Sequence, residues 1–567
     1  MEIINFIFSK INLLFLYNIF VYLTNELNYV KVLYVINYEE KMFMHWSERL
    51  ADKIIEKNPN KDVYVCAGGA SPSGSIHIGN FRDLAVPYFV ALALRKKGKK
   101  VRFLFSFDDF DRLRKVPVNV SKVVDGYEQY IGRAYTSVPN PFGTEEPSYG
   151  DYFEKEFMDA IKELGIEVEF LHQTQNYKSG RYADKVAYSL ERRKEIYDIL
   201  MSFKSQEATE EGRNSYYPVS VYCSKCLKDS TVVDSYDEKT HLLTYHCKDC
   251  GNQETVNVLE YFNIKLVWKV DWPMRWKEEG VDFEAGGIDH ATPGGSYDVS
   301  SVIAKEIFGI EPPTFQGYGW LGFQGVSSMH SSTGVNITPA GALKFYTPEL
   351  LRWLFAKYEP EDAYNFYFDD TIIRHYSEFD KGLASYLDGT ADDFTKSLFD
   401  LCLIQGRKYQ NETSFNTIAS LAPIVNFNHD SLIKAIKAIN LEWTPRADER
   451  FEKATYFIKT YQPEKIFHLL ESKNTEFAST LTDEEKQVVK KLYDHLNSLD
   501  VVNDKEVQQF IYDTVNNPSL TKKENMAIQQ KYFKIFYNLL FGKDSGPRLY
   551  LFFAATDKSE YIELLNI

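Results

Sequence analysis

Two residues with useful chemistry stand one helical turn apart in SPSGSIHIGN, the segment at 71–80. His77 offers an imidazole N–H and Asn80 a side-chain amide, and both can donate hydrogen bonds to phosphate oxygens. An apolar run at 63–67 predicts a buried strand before the segment, and an apolar helix is predicted over about 80–97. A turn that leads into a helix binds anions, because the first helical N–H groups are unpaired and the helix dipole is positive there. We therefore expect a phosphate site formed by Pro72, Gly74, His77, Gly79 and Asn80.

Four cysteines form a second pattern with clear chemistry. Cys223 and Cys226 make one C-x-x-C pair, Cys247 and Cys250 make another, and residues 227–246 separate the pairs. Four thiolates satisfy tetrahedral zinc and leave no open position, which is typical of a structural site. A redox role is less favoured, because there are two pairs and a strand is predicted between them at 242–246. The pattern predicts structural Zn²⁺ in a ribbon over 220–253.

Composition limits the classes of protein to which the chain can belong. A length of 567 residues with 44% hydrophobic residues predicts about three or four folded domains. The formal charge of −15 argues against a protein that coats nucleic acid, although a local basic face could still bind RNA specifically. The metal-type cysteine pattern favours a reducing compartment over a disulfide framework, and Cys66 and Cys402 are expected to be buried thiols. We expect a cytoplasmic monomer with no DNA partner.

The alternation of short apolar runs with longer amphipathic ones predicts an α/β fold with a doubly wound parallel sheet. The ligand of such a sheet lies beyond the carboxyl ends of its strands. Residues 110–255 are expected to form an insertion, and from 392 onward the pattern is entirely helical. The predicted strands are 63–67, 101–107, 167–171, 256–264 and 314–318. The predicted helices are 83–97, 152–164, 182–203 and 297–308.

The first residues of the chain differ in composition from the rest. Residues 3–23 are apolar, which would suit a membrane anchor, but Lys10 and three asparagines interrupt them and no small-residue cleavage site follows. The favoured residues of this segment are largely those with A/T-rich codons. We therefore expect residues 1–43 to be a dispensable or non-native extension, with the working start at Met42 or Met44, rather than an anchor.

Several stretches beyond His77 resemble the archaeal-type class I lysyl-tRNA synthetases. These are FDDFDRLRKVP at 107–117, KLVWKVDWPMRW at 265–276, GGIDHATPGGSYD at 286–298 and FYNLLFGKDSGPRLYLFFA at 536–554, with His77-Ile-Gly-Asn80 resembling the class I HIGH signature. The resemblance implies a Rossmann-like catalytic domain over 44–327 with a zinc-containing insertion, a connecting segment over 328–391 and an all-α anticodon-binding domain over 392–567. It also implies that L-lysine, ATP with Mg²⁺ and tRNA(Lys) are the substrates.

The same resemblance assigns roles to individual residues. It implies that Gly69, Ser71, Trp268 and His290 line the lysine pocket, and that Gly294, Gly295 and Ser296 approach the adenosine. The candidate partners of the lysine ammonium are the carboxylates Asp108, Asp109, Asp111 and Asp289. Chemically, a dehydrated ammonium needs a carboxylate partner, and an aromatic ring can pack a four-carbon chain. The alternative is that the tryptophans belong to the core and that the carboxylates of DDFDR pair locally with Arg112 and Arg114.

The signature loop of the family departs from its usual pattern. The KMSKS-type segment aligns with SMHSSTG at 328–334, where Ser328 and Thr333 replace the two lysines. Ser331, Ser332 and Thr333 remain as neutral catalytic donors to the phosphates. Two alternatives therefore stay open: the same fold acting on another amino acid, and a synthetase-like tRNA-binding protein whose activation step is weak or lost.

We predict that Thr333→Lys raises the kcat of lysine-dependent pyrophosphate exchange more than it changes the KM for lysine. A preorganised charged donor is worth about 10²–10³ in rate when negative charge develops on the leaving group. Exchange kinetics of the two proteins check this. A parent enzyme that is already fast, and that the substitution slows, would contradict it.

Overall fold

The computed structural model describes residues 44–323 and 337–567. The predicted extension over 1–43 and the predicted donors Ser331, Ser332 and Thr333 lie outside the described residues. In the part of the chain that is described, no helix is both long and apolar enough to cross a bilayer.

A five-stranded parallel sheet lies at the centre of the catalytic part, in the order β10-β9-β1-β2-β3. Alternate side chains of its strands pack into separate apolar clusters, since Cys66 and Phe105 join the main core while Val65 and Leu104 form a second cluster. The strands are β1 (Val63–Ala70), β2 (Lys100–Phe107), β3 (Glu169–His172), β9 (Phe283–Gly287) and β10 (Thr314–Tyr318).

Seven shorter strands form small sheets outside the central one. A three-stranded antiparallel sheet carries the cysteine pairs, and two further sheets have two strands each. These strands are β4 (Val219–Val221), β5 (Thr231–Asp237), β6 (Leu242–Cys247), β7 (Gln253–Asn257), β8 (Ile264–Leu266), β11 (Leu321–Phe323) and β12 (Tyr364–Phe366).

The helices cover the sheet and then form the whole carboxyl-terminal part. Those up to residue 306 are α1 (Trp46–Lys57), α2 (Arg82–Lys96), α3 (Val118–Ser121), α4 (Tyr149–Glu163), α5 (Gln173–Lys178), α6 (Ala183–Glu191), α7 (Arg193–Ser202), α8 (Glu210–Ser215), α9 (Trp268–Glu279) and α10 (Ser296–Glu306). Those that follow are α11 (Pro339–Leu343), α12 (Pro348–Lys357), α13 (Thr371–Leu387), α14 (Asp393–Cys402), α15 (Phe415–Leu421), α16 (His429–Ala438), α17 (Ala447–Tyr461), α18 (Thr475–Thr480), α19 (Asp483–Ser498), α20 (Asp504–Val515), α21 (Lys522–Phe541), α22 (Leu549–Ala555) and α23 (Lys558–Leu565).

Two of the predicted elements differ from the structure, and one strand of the central sheet was not predicted. The strand predicted at 256–264 is two strands, β7 and β8, which lie in different sheets because a turn at 258–260 separates them. The helix predicted at 182–203 is interrupted at Arg192, between α6 and α7. β9 was not predicted, because FEAGG has neither a polar alternation nor a sustained apolar run, yet it lies beside β1 in the sheet.

The predicted insertion over 110–255 is not a single block. The chain leaves the sheet after β2, returns to it at β3 and leaves again before β9. α4, inside that range, packs Phe157, Ala160 and Ile161 into the main core. Each excursion therefore begins at the carboxyl edge of the sheet, where it can border a ligand.

A fully buried carboxylate joins the helical part to α12 of the connecting segment. Glu349, near the start of α12, accepts hydrogen bonds from Arg407 and Arg446, each at 2.8 Å, and from the Tyr409 hydroxyl at 3.0 Å. A buried charge paired on several sides is costly to break. The two parts consequently share one continuous apolar core.

Gly68 allows α2 to approach β1 more closely than any other residue would. A Cβ at Gly68 would lie 1.8 Å from the Asp83 carbonyl oxygen, which is far inside van der Waals contact. The first turn of α2 therefore lies directly against the end of β1. This contact fixes where the amino end of α2 meets the sheet.

We predict that Gly68→Ala lowers the thermal unfolding midpoint, because α2 must move away from β1. Overpacking of this kind costs about 1–3 kcal/mol. Gly287→Ala on β9 is the matched control, since a Cβ there meets no atom within 4 Å. Equal unfolding midpoints for the two variants in scanning calorimetry would contradict the account.

Candidate active site

Two adjoining cavities lie at the carboxyl edge of the central sheet. The outer cavity has a volume of about 500 Å³ and borders the 69–80 turn and the residues that follow β9 and β10. The inner pocket, of about 80 Å³, lies between the sheet and α9. One water requires about 10–15 Å³ of such volume, so the inner pocket can hold a chain of several atoms. The two cavities share five lining residues: Gly69, Asp83, Asp108, Trp268 and His290.

The His77 ring is oriented by its own turn. Its Nδ1 accepts hydrogen bonds from the backbone N–H groups of Gly79 at 3.1 Å and Asn80 at 3.2 Å. Nδ1 is therefore an acceptor, and the neutral ring carries its proton on Nε2. The Ile78 N–H donates to the Ile337 carbonyl oxygen at 2.7 Å, which attaches the turn to the chain just after the signature segment. The turn thus brings an imidazole N–H and the Asn80 amide to the wall of the outer cavity.

Most residues predicted from the sequence border the outer cavity. They come from the 69–80 turn, the start of α9 and the segment after β9: Gly69, Ser71, Gly74, His77, Gly79, Asn80, Trp268, Asp289 and His290. Pro72 is buried beneath the turn and does not border the cavity. The structure therefore brings most of the residues predicted for phosphate and for lysine to one cavity.

Asp109, one of the candidate partners of the lysine ammonium, lies outside the lining of both cavities. Its Oδ1 accepts a hydrogen bond from the Thr174 N–H at 2.7 Å, and its carboxylate lies beside Glu154 and His172. Asp108 and Asp111 border the outer cavity instead. Successive side chains point in different directions in the turn after β2, so three neighbouring carboxylates cannot all face one ligand.

Gly294, Gly295 and Ser296 also lie outside the lining of both cavities. A Cβ at Gly295 would lie 2.6 Å from the His290 carbonyl oxygen, and Gly294 has a φ of +75°. The Gly294 N–H donates to Asp298 Oδ2 at 2.9 Å. These glycines therefore close the turn before α10, and their approach to the adenosine stays a prediction.

Three tryptophans on one face of α9 border the inner pocket. The rings of Trp268 and Trp272 are stacked, with centroids 4.9 Å apart, and Trp276 follows at 5.0 Å from Trp272. The spacing of four residues places all three on one stripe of the helix. Trp272 and Trp276 are buried, which agrees with the alternative that the tryptophans belong to the core. They also line the inner pocket.

Two buried carboxylates of the inner pocket have no lysine or arginine partner among the described residues. Glu284 on β9 accepts hydrogen bonds from the indole N–H groups of Trp272, at 2.8 Å, and Trp276. Asp83 on α2 accepts one from the Tyr318 hydroxyl at 2.5 Å. Burial raises the pKa of each carboxyl to about 7. The pocket is thus able to hold a cation.

Asp108 and Asp111, which border the outer cavity, are each paired with a cation. Asp108 binds Arg275 at 2.8 Å, and Arg275 also binds Asp271 at 2.8 Å. Asp111 pairs with Lys265, whose ammonium outweighs burial and lowers the pKa of Asp111. The expected local pairing with Arg112 and Arg114 is absent from the described residues. Arg112 binds Asp229, and Arg114 borders the outer cavity.

Comparison with known proteins gives the family. A profile described as tRNA synthetases class I (K) matches residues 44–401, which is more than half of the chain. A lysine–tRNA ligase of Streptomyces coelicolor is 35% identical over 553 residues, covering 89% of this chain and 95% of that protein. The chain belongs to the class I lysyl-tRNA synthetases.

More distant relatives of this synthetase chain match over a similar extent. A lysine–tRNA ligase of Pyrococcus horikoshii is 29% identical, covering 92% of this chain and 99% of that protein. A glutamate tRNA ligase structure from Elizabethkingia meningosepticum superimposes with a TM-score of 0.44 at 13% identity, covering 89% of this chain and 99% of that one.

The four cysteines of the synthetase lie close enough together to bind one metal ion. Cys223 and Cys250 have their Sγ atoms 3.6 Å apart, as do Cys226 and Cys247, and all four lie within 4.8 Å of one another. Tetrahedral Zn²⁺ with bonds of about 2.3 Å separates its sulfurs by about 3.8 Å. The chemistry and spacing of the four thiolates fit that ion.

The residues of the synthetase's inner pocket that sequence reasoning missed include Asp83, Gln173, Arg275, Trp276 and Glu284. The spacing of Trp268, Trp272 and Trp276 was a usable signal for a stripe on one helix face. Glu284 gave a weaker signal, as a lone charge between apolar residues. Its role depends on β9 lying next to β1 and beneath α9, which no local pattern reveals.

We predict a change in tryptophan fluorescence with a midpoint near pH 7, because ionisation of Glu284 alters the acceptor of two indole N–H groups. Glu284→Gln should abolish that transition. Glu378→Gln is the control, since Glu378 binds Lys357 beside Trp353 and its pKa lies below the ordinary value. An unchanged transition in Glu284→Gln would show that Glu284 does not titrate there.

Proposed function

We propose that this chain is a lysine–tRNA ligase, which activates L-lysine with ATP and transfers the lysyl group to tRNA(Lys) in the cytoplasm. The observation that carries the proposal is the excess negative charge of the inner pocket. Glu284 and Asp83 are buried there without a cationic partner among the described residues, and a buried carboxylate favours a cation that it can pair with.

The shape of the inner pocket suits the lysine side chain. Its tryptophan wall can pack four methylenes, and its carboxylates accept from an ammonium. Gln173 adds an acceptor, because its Oε1 has no hydrogen-bond partner within the described ranges and the residue lines the pocket. The α-amino and carboxylate groups of lysine would then lie at the junction of the two cavities, beside Gly69, Ser71, Asp289 and His290.

The outer cavity is the proposed ATP site. His77 and Asn80 donate to the phosphates from the amino end of α2, and Arg114, which borders the same cavity, supplies a positive charge. Mg²⁺ enters with ATP, whose phosphates provide most of its ligands. The lysine carboxylate then attacks the α-phosphorus, the bond to the bridging oxygen breaks, and pyrophosphate leaves.

The signature segment would act on the leaving pyrophosphate through neutral groups. Its described flanks lie at the site, because Leu321 borders the outer cavity and Ile337 binds the His77 turn. Ser331, Ser332 and Thr333 would donate hydrogen bonds without bringing a positive charge. We therefore propose a slow but real activation step.

The helical part over 392–567 is the proposed anticodon-binding domain. A cavity of about 590 Å³ is lined by apolar side chains of α13, α15 and α17 and by the cations Arg374, Lys465 and Arg548, of which Lys465 pairs with Asp370. Unstacked bases bind to apolar and aromatic surfaces while cations hold the phosphates. This combination supports a contact with single-stranded RNA.

The function is tested by pyrophosphate exchange with each of the common amino acids, followed by charging of tRNA(Lys). We expect exchange with lysine alone. Exchange with a different amino acid would support the same fold with another specificity. Binding of tRNA without any exchange would support the tRNA-binding alternative, which the absence of lysine at Ser328 and Thr333 favours.

We predict that Glu284→Gln raises the KM for lysine about 10–100-fold, because a hydrogen bond to a charged group is worth about 1.5–3 kcal/mol. In the parent enzyme the KM should rise as pH falls through about 7, since a protonated carboxyl must lose its proton to pair with the ammonium. Glu278→Gln, on the outer side of α9, is the control because Glu278 pairs with Lys185. A KM unchanged in Glu284→Gln would place the ammonium elsewhere.

We also propose that the four cysteines hold structural Zn²⁺ that takes no part in the chemistry. We predict one tightly bound zinc per chain, and its loss in Cys226→Ala, because three thiolates hold the ion poorly. Cys402→Ala should keep the zinc, since Cys402 is buried in the main core. Metal analysis checks this, and a ratio near zero or a disulfide between the pairs would contradict it.

A further inference from the structure

A second cluster of metal-type ligands lies outside both cavities. Asp109 follows β2, Glu154 lies on α4 and His172 ends β3. One ligand atom from each lies within 4.8 Å of the other two. None of the three residues lines the inner pocket or the outer cavity. The cluster therefore has no role in the proposed activation step.

The two carboxylates of the cluster are almost completely buried. Asp109 is 2% exposed and Glu154 is 1% exposed. His172 is partly exposed, and its Nδ1 lies 2.7 Å from Glu154 Oε2. Neither carboxylate forms an ion pair with a lysine or arginine within the described ranges, so the imidazole is their only nearby group that can become cationic.

Glu154 Oε1 is the observation that points to a ligand. It is buried and has no hydrogen-bond partner among the described residues. By contrast, Asp109 Oδ1 accepts from the Thr174 N–H at 2.7 Å, which holds this carboxylate at the cluster. A buried acceptor without a partner costs about 1–3 kcal/mol, and a buried charge costs more. A bound cation would remove both costs.

We propose that Asp109, Glu154 and His172 bind one divalent metal ion of the Mn²⁺ or Zn²⁺ type. Two carboxylate oxygens and one imidazole nitrogen suit these ions, whereas Mg²⁺ prefers oxygen ligands throughout. The three ligand atoms lie within 4.8 Å of one another, so each needs to move by at most about 0.6 Å to share an ion with bonds of about 2.1–2.2 Å.

The ion would connect three elements beneath the turn that carries Asp108 and Asp111. The ends of β2 and β3 meet there, and α4 covers them. An ion that joins them stabilises the folded chain without contacting a substrate. The site differs in chemistry from the four thiolates, which are softer ligands and do not favour Mn²⁺.

The test uses full-length protein with its tightly bound zinc left in place and without ATP. Titration with Mn²⁺, followed by the electron paramagnetic resonance signal of the free ion, should show one bound Mn²⁺ per chain. Glu154→Gln and His172→Gln should each weaken that binding at least about tenfold. Asp159→Asn is the matched control, because Asp159 is an exposed carboxylate of the same helix.

A second measurement tests the proposal if one of the variants folds poorly. Mn²⁺ or Zn²⁺ should raise the thermal unfolding midpoint of the parent protein and of Asp159→Asn, but not that of His172→Gln, whose partly exposed side chain tolerates substitution. Absence of bound metal in the parent overturns the proposal. Equal metal binding by Glu154→Gln, His172→Gln and Asp159→Asn also overturns the proposal. The carboxylates of Asp109 and Glu154 would then be neutralised by a proton and not by a metal ion.

Discussion

The contact between Gly68 and α2 fixes the geometry of the whole site. Because no Cβ stands between β1 and the Asp83 carbonyl group, the first turn of α2 lies directly on the end of the central strand. The amino end of the helix, with His77 and Asn80 before it, therefore opens toward the outer cavity. The same contact places the Asp83 side chain at the boundary of the inner pocket, so the phosphate and amino-acid sites share one support.

Charge is distributed unequally between the two cavities. In the outer cavity Asp111 is paired with Lys265, while the N–H donors of the turn and Arg114 favour an anion. In the inner pocket Glu284 and Asp83 meet only uncharged donors. Burial raises the pKa of both carboxyls, which shows how unfavourable their charge is without a cation. The inner pocket thus suits a cationic amino acid, and the turn and Arg114 offer donors to an anionic nucleotide, although Asp289 also borders the outer cavity.

The parts of the site that depend on local sequence could be predicted. The apolar run before SPSGSIHIGN predicted β1 and the start of α2, and the spacing of the four cysteines predicted their cluster. Residues whose role depends on neighbours distant in the chain could not be predicted. Asp109 was preferred over Asp108 and Asp111 because the sequence does not show which way each side chain of a turn points. Glu284 was missed because β9 has a weak pattern of its own and becomes a central strand only through its partners.

The central claim is that the inner pocket selects a positive charge at the end of a four-carbon chain. The most direct measurement is pyrophosphate exchange at a pH well above 7, with lysine and with an analogue whose ammonium is replaced by a methyl group. A site whose buried polar groups pair with a polar group of the substrate rejects an analogue that lacks this group by about 10⁴-fold or more in kcat/KM. We expect a ratio of that order between the kcat/KM values for lysine and for the analogue, and a much smaller ratio in Glu284→Gln. Comparable kcat/KM values for the two amino acids would contradict it.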